Sequence, residues 1–118
     1  MIFVKIGDKK YNATLSNINW HGRETKSIKV EMSYNEAAEL FVDDAEWSVV
    51  SVFEYTKEML DEHNEVVEEQ VIEEHETDCS EFSIAGEIID HRDGFVTVKM
   101  SKQTAEEILD MIMEGLAL

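Results

Sequence analysis

One cysteine and four histidines are the residues of this 118-residue chain best suited to catalysis or metal binding. Cys79 closes the run His75-Glu76-Thr77-Asp78-Cys79, and a cysteine nucleophile needs a base such as histidine within hydrogen-bond reach. It also needs surroundings that stabilise the thiolate, whereas neighbouring carboxylates raise the pKa of a thiol. The pattern therefore argues against catalysis by Cys79.

Metal binding is the second chemistry that these residues suggest. The candidate ligands are His63, His75, His91 and Cys79, but no two have the spacing of a zinc motif such as Cys-x2-Cys or His-Glu-x-x-His. The regularly spaced acids and central glycine of a calcium loop are not found either. We expect no dedicated metal site and no cofactor, only weak, adventitious binding of divalent ions by carboxylates.

The most distinctive residues are carboxylates, concentrated between Glu54 and Glu81. This stretch holds twelve acids and a single base, Lys57. Purely acidic tails are usually disordered, but apolar residues such as Tyr55 and Met59 interrupt this one, so it can dock on a core. The sequence predicts an acidic, partner-binding surface on a folded domain. Its candidate binding residues are Glu54, Glu58, Asp61, Glu62, Glu65, Glu68, Glu69, Glu73, Glu74, Glu76 and Asp78.

Charge is distributed unevenly along the chain. Residues 1–30 carry a net charge of +4 and residues 31–118 carry −21, which gives −17 in total. Such a field repels nucleic acid and anionic membranes and attracts basic surfaces. We therefore expect no direct nucleic-acid binding; the residues that would carry it are the basic group Lys5, Lys9, Lys10, Arg23, Lys26 and Lys29. A solvated face that only keeps the protein soluble is the simpler explanation of the acids.

Length and composition predict a single domain over residues 1–118. A lone cysteine excludes an intramolecular disulfide. The N-terminus lacks the pattern of a signal peptide, and no run approaches 18 apolar residues. The expected location is the cytoplasm, with no membrane partner.

The first half of the chain reads as a hairpin, a loop, a strand and a short helix. Gly7-Asp8 is a good two-residue turn between Ile2–Ile6 and Tyr11–Leu15. The polar segment 16–26 predicts a loop whose Trp20 belongs to the core. Alternation predicts a strand over 27–32. Ser33 then caps a helix from about residue 34 to 41, with Ala37, Leu40 and Phe41 buried.

Residues 47–56 are rich in Val, Phe and Tyr and predict the central strand of a sheet, since both faces carry apolar groups. Residues 57–75 are ambiguous. Leu60, His63, Val67 and Val71 have helical spacing, whereas the β-branched content and a polar tetrad at 61–64 favour a hairpin. We favour the hairpin.

The last third predicts a hairpin and a helix. Asp93-Gly94 lies between alternating apolar runs at 82–89 and 95–100, which is a strong hairpin signal. Thr104, or Ser101 one turn earlier, caps a helix that ends at Gly115. Its residues with core spacing are Ala105, Ile108, Leu109, Ile112 and Leu116.

Together these elements predict an α+β domain. It consists of a twisted antiparallel sheet of about five to seven strands, a short helix after strand three, and a C-terminal helix packed on one face of the sheet.

Two stretches carry a resemblance. Residues 4–14 with Ser27-Ile28, and residues 81–88 with 93–100, resemble small uncharacterised proteins encoded in phages and prophages of Gram-positive bacteria. The resemblance implies a viral protein made in a bacterial host, either a tail or baseplate accessory or a counter-defence protein. In size and charge the chain is similar to acidic DNA-mimic inhibitors of restriction enzymes or RNA-guided nucleases, the anti-restriction and anti-CRISPR proteins.

The sequence contains no phosphate-binding loop, no Gly-x-Ser-x-Gly and no dinucleotide fingerprint, so we expect no enzyme. The leading hypothesis is a binding protein whose carboxylates imitate nucleic-acid phosphates on the basic surface of a partner, possible targets including a host nuclease. The alternative is a phage structural or assembly module that associates through its edge strands.

Overall fold

A computed structural model describes residues 1–116, which form one antiparallel sheet and two helices. The strands lie in the order β5-β4-β1-β2-β3-β7-β6. This confirms the predicted α+β fold with a short helix after strand three and a helix at the C-terminal end. The elements are β1 (Ile2–Ile6), β2 (Lys9–Trp20), β3 (Arg23–Glu31), α1 (Tyr34–Leu40), β4 (Trp47–Leu60), β5 (Val66–Asp78), β6 (Ile84–Asp90), β7 (Phe95–Ser101) and α2 (Ala105–Leu116).

Three hairpins predicted from turn residues are confirmed. Gly7 and Asp8 both have positive φ, 58° and 65°, which matches the twist of the flanking strands β1 and β2. Gly94 has a φ of 91° between β6 and β7. The ambiguous segment 57–75 is also a hairpin, because β4 continues to Leu60 and pairs with β5 along its whole length.

The predicted loop at 16–26 is wrong. β2 runs to Trp20 and β3 begins at Arg23, with only a two-residue turn between them. Cross-strand backbone hydrogen bonds hold this segment as strand despite its polar side chains, since one face of an antiparallel sheet can be solvated. Trp20 is half-buried rather than part of the core, and its indole packs on Gly86, where a Cβ atom would lie 2.6 Å from the ring.

The prediction that β4 is central is also wrong. β4 is second from the edge, and β2 occupies the middle of the sheet. The apolar residues of β4 face both sides of the sheet, because Trp47 joins the core and Val50 is buried on the opposite face. β4 is buried on both faces only where it lies beside β1.

The core lies between one face of the sheet and the cover formed by α1 and its flanking loops. The indole nitrogen of Trp47 donates a hydrogen bond of 3.1 Å to the carbonyl of Phe82, which fixes the loop after β5 over the sheet. The other buried apolar side chains of this cluster are Val4, Ile6, Ala13, Ile28, Val30, Met32, Ala37, Phe41, Cys79, Val96, Val98 and Met100.

Helix α1 is capped as predicted, because the backbone N–H of Glu36 donates to Ser33 Oγ at 3.2 Å. The Glu36 carboxylate does not complete a capping box but accepts a hydrogen bond of 2.6 Å from the hydroxyl of Tyr11. That bond, with burial, raises the pKa of Tyr11 to about 12. Leu40 is half-buried beside Gly7.

Helix α2 has the Thr104 capping box, with the Glu107 N–H donating to Thr104 Oγ1 and the Glu107 carboxylate accepting from the Thr104 N–H. Its predicted packing on the sheet is wrong, because its apolar positions are exposed by 47% to 57% at Ile108, Leu109 and Ile112. The ion pair between Glu107 and Arg23 ties the acidic side of the helix to the sheet, so the apolar stripe faces away. Ala105 is exposed, and the Leu116 side chain lies outside the described residues.

Candidate functional site

The β4–β5 hairpin has two parts that differ in their surroundings. In the first part, here called the root, residues 47–52 of β4 lie between β1 and residues 74–78 of β5. In the second part, here called the arm, residues 53–73 pair only with each other. The arm helps to explain why the radius of gyration is 19.7 Å, against about 13.5 Å for a compact domain of this length. The arm is a two-stranded ribbon that extends beyond β1.

The two faces of the arm differ in chemistry, because residues directly opposite each other in an antiparallel pair share a face. The face that continues the core side of the sheet is here called the apolar face, and it carries Phe53, Tyr55, Met59, Val67 and Val71 together with Lys57, Glu69 and Glu73. Phe53 is 54% exposed and contacts the ring of His75 edge-on. The opposite face, here called the acidic face, carries Glu54, Glu58 and Glu68, with Leu60, Val66 and Ile72 beside them.

Three of the predicted binding acids lie at the root and have partners within the protein. Lys10 Nζ donates to Glu74 at 2.6 Å, and Ser48 Oγ donates to Glu76 at 2.7 Å. The Ser48 hydrogen bond, with the nearby Lys5, lowers the pKa of Glu76. Asp78 accepts from the hydroxyl of Ser80, which lowers the pKa of Asp78. Glu74 and Glu76 thus join the root to β2 and β1 through Lys10 and Lys5, whereas Asp78 orders the start of the loop after β5.

Two further acids organise the arm itself. Glu73 accepts a hydrogen bond of 2.7 Å from the hydroxyl of Tyr55, which lowers the pKa of Glu73 and raises that of Tyr55. Asp61 accepts from the N–H groups of His63 and Glu65 at 2.8 and 2.9 Å, which closes the turn. Both therefore preorder the ribbon.

The remaining six candidates have no side-chain hydrogen bond or ion pair with any other residue in the range 1–116. All six are exposed and lie within the arm or its turn. They are Glu54, Glu58, Glu62, Glu65, Glu68 and Glu69.

One pair among these six is unfavourable in the isolated protein. Glu58 and Glu68 are direct cross-strand partners, and like charges in that position destabilise a sheet. A cation placed between them would remove the repulsion. Lys57 lies opposite Glu69 on the other face and is the only lysine or arginine in the arm. The acidic face is thus arranged to receive positive charge.

The candidate catalytic and metal-binding residues do not come together. Cys79 is buried, and burial is the main cause that raises the pKa of its thiol, with Asp78 adding a smaller effect. His75 stacks edge-on against Phe53 at 5.7 Å, and His91 bonds Thr97 at 2.7 Å. Within residues 1–116, no group of three His, Cys, Asp or Glu side chains has the geometry to hold a metal ion.

The basic residues of the first thirty do not form one patch. Lys5 and Lys10 pair with acids of the root, 3.7 Å from Glu76 and 2.6 Å from Glu74. Arg23 pairs with Glu107. These long-range pairs were missed by the sequence analysis, and no local pattern marks them. The ammonium groups of Lys26 and Lys29 lie over the rings of Phe82 and Phe95.

Neither helix in residues 1–116 has the length and apolar character needed to cross a bilayer. Comparisons with protein-family models, curated proteins and solved structures find no match to the chain.

Proposed function

We propose that the protein is a non-enzymatic binding protein whose arm docks on the basic surface of a nucleic-acid-binding protein and blocks it. The observation that carries this proposal is the set of six unpartnered carboxylates on a preordered ribbon. A fixed charge pattern binds at a lower entropic cost than a flexible acidic tail does. Root ion pairs and the Asp61 turn supply the order.

The charge spacing of the arm supports imitation of a single nucleic-acid strand. The arm holds eight carboxylates against one lysine, a net charge of −7. Each strand of the arm is eight residues long, so at about 3.4 Å per residue the ribbon is about 27 Å long. Its net charge of −7 therefore corresponds to about 4 Å of ribbon per negative charge. A nucleic-acid strand carries one charge per about 3.4 Å, and a duplex one per about 1.7 Å. The apolar face of the arm adds exposed rings, and single-strand grooves stack bases on aromatic groups.

The resemblance to phage and prophage proteins supports a bacterial host cell as the setting of this activity. A nuclease or another defence protein with a basic nucleic-acid groove is the partner that fits the charge. Binding there displaces counterions from the groove as the natural ligand does. An anti-restriction or anti-CRISPR role follows from that partner.

The test is capture of proteins from a bacterial lysate with two variants of equal charge. The arm variant carries Gln at Glu54, Glu58, Glu62, Glu65, Glu68 and Glu69. The body variant neutralises six acids outside the hairpin by the substitutions E39Q, D44N, E46Q, E106Q, D110N and E114Q.

We expect wild type and the body variant to retain nucleic-acid-binding proteins at low salt and to release them to single-stranded DNA. The arm variant should retain none, and at about 0.5 M salt all capture should fall because the Debye length shrinks to about 4 Å. Equal capture by the two variants would contradict the proposal.

The exposed apolar stripe of α2 favours a second candidate, a phage structural module that assembles with virion proteins. Ile108, Leu109 and Ile112 have no cover within residues 1–116. In that case capture should survive high salt and single-stranded DNA, the arm variant should behave as wild type, and virion proteins or the protein itself should be recovered.

A further inference from the structure

The inner edge of β4, the side that faces β1, is open along the arm. β1 pairs with Trp47–Ser51 of β4, and next to it the Met1 carbonyl accepts from the N–H of Val52 at 2.8 Å and the Met1 nitrogen donates to the Val52 carbonyl at 3.1 Å. In the part of the chain that the structure describes, no strand pairs with that side of β4 beyond Val52. Backbone groups alternate in direction along an antiparallel ladder, so four residues present theirs to this open edge. They are Glu54, Thr56, Glu58 and Leu60.

The outer edge of the hairpin is formed by β5, and its charged side chains differ from those of the inner edge. Within the arm this strand carries three carboxylates spread over both faces, Glu68, Glu69 and Glu73. Charged side chains along an edge strand oppose pairing with another chain. The arm segment of β4 has Glu54 and Glu58 on the acidic face and Lys57 among Phe53, Tyr55 and Met59 on the apolar face, a net charge of −1 against −3 for the arm segment of β5. Unlike the outer edge, the inner edge has carboxylates on one face only, and it is therefore the edge suited to a strand whose two faces differ in chemistry.

We propose that this inner edge accepts an extended segment of about seven residues from a protein partner, in line with β1 and antiparallel to β4. Main-chain hydrogen bonds supply affinity in such strand addition, and alternate side chains supply specificity. The inference rests on the proposed function, because it takes the partner to be basic. It adds that the part of the partner that binds is an extended segment and that backbone hydrogen bonds with β4 hold it.

The chemistry of the incoming segment follows from its neighbours across the ladder. Positions on the apolar face lie beside Phe53, Tyr55, Lys57 and Met59, and they favour apolar residues because only one of these four neighbours is charged. Positions on the acidic face lie beside Glu54 and Glu58, and therefore favour lysine or arginine. The partner segment alternates apolar and basic residues, and a cation there also relieves the repulsion between Glu58 and Glu68.

A second copy of this chain fits the same edge poorly. Two β4 strands paired symmetrically about Thr56 would place Glu54 of each copy opposite Glu58 of the other. Each arm would also bring its net charge of −7 against the other. Like charges directly opposite destabilise a sheet, so a basic segment is the better occupant.

The test uses two proline variants that change no charge. Thr56 and Gln70 are direct cross-strand partners, and the Val52 hydrogen bonds show that the N–H of Thr56 points to the inner edge and that of Gln70 to the outer edge. Thr56→Pro and Gln70→Pro therefore each remove an outward-facing N–H without removing a bond between β4 and β5. Gln70→Pro is the matched control.

The probe is the peptide Val-Lys-Val-Lys-Val-Lys-Val with blocked ends, titrated calorimetrically into the full-length protein at low salt. Thr56→Pro should weaken its binding at least tenfold, and Gln70→Pro less than twofold. N-methylation of the peptide nitrogens that face β4 should weaken binding to wild type as strongly as Thr56→Pro does. This peptide comparison tests the proposal even if a proline variant fails to fold.

Equal binding by both proline variants and both peptides would overturn strand addition while leaving the basic-partner proposal intact. No binding of either peptide to the wild-type protein would contradict the basic partner itself. Light scattering of the protein alone completes the test, because a dimer that Thr56→Pro dissociates would make a second copy the occupant and overturn the proposal.

Discussion

The root and the arm are halves of one hairpin with a continuous register, yet they have opposite environments. In the root, Trp47 and Val50 are buried and the acids of β5 pair with lysines of β1 and β2. In the arm, Phe53 and Ile72 are exposed and most acids have no partner within residues 1–116. Strand propensity is similar in both halves. The difference comes from β1, which ends at the boundary between them.

The comparison shows that the same two strands are buried and paired in one half of the hairpin and exposed to solvent in the other. A two-stranded ribbon is marginally stable by itself, because its faces are open to water. The root anchors the arm, so the arm keeps its register but opens more easily than the sheet does. Four experiments test this difference between the root and the arm.

The largest effect should come from the same substitution made in the core and in the arm. Val98 is 1% exposed and Val67 is 42% exposed. Val98→Ala should lower the free energy of unfolding by about 2–3 kcal/mol through lost burial and a cavity. Val67→Ala should change it by less than about 0.5 kcal/mol. Urea denaturation checks both, and equal losses would show that the arm is part of the cooperative core.

Removal of the arm should have a smaller effect on stability. All of the arm except the Phe53–Glu73 pair, that is residues 54–72, is replaced by Asn-Gly, which forms a two-residue turn between Phe53 and Glu73, whose backbone groups face each other. We expect the free energy of unfolding to stay within about 1 kcal/mol of wild type, since the core is untouched. Thermal and urea unfolding measure it. A shortened protein that does not fold would show that the root depends on the arm.

Acid should release helix α2 before it unfolds the sheet. The hydrogen bonds from Arg23 and Thr104 lower the pKa of Glu107 from 4.5 to about 2. A lowered pKa means that the stabilisation is complete above the ordinary pKa and is lost as pH falls. The helical circular-dichroism signal should therefore decrease between pH 4.5 and about 2. In Glu107→Gln the signal should be lower at neutral pH and insensitive over that range.

The smallest effect should come from relief of the repulsion between Glu58 and Glu68. Glu58→Gln should slow hydrogen exchange of the arm amides, because an unfavourable cross-strand pair of about 0.2–1 kcal/mol is removed. Glu62→Gln in the turn removes the same charge without a cross-strand carboxylate and is the control. Equal slowing in both variants would attribute the effect to net charge rather than to the pair.

The sequence determined the local structure of this protein. Gly7-Asp8 specifies its turn through positive φ at both residues, and Gly94 supplies positive φ in the turn between β6 and β7. Ser33 and Thr104 specify helix starts through side-chain capping. The β-branched content of 66–72 and its polar turn favoured a hairpin, which the structure contains. These signals act over a few residues, so they can be read without the fold.

Tertiary structure alone decided what covers each element. Alternation showed that β4 is apolar on both faces, but not that β1 accompanies it only as far as Val52. Helical spacing marked the stripe of α2, but the pair of Arg23 with Glu107 turns that stripe outward. Of the eleven candidate acids, Glu74 and Glu76 find lysines more than sixty residues away. A residue's type determines the free-energy cost of exposing its side chain to water. Whether that side chain is buried, and which partners it has, depends on which distant strands meet.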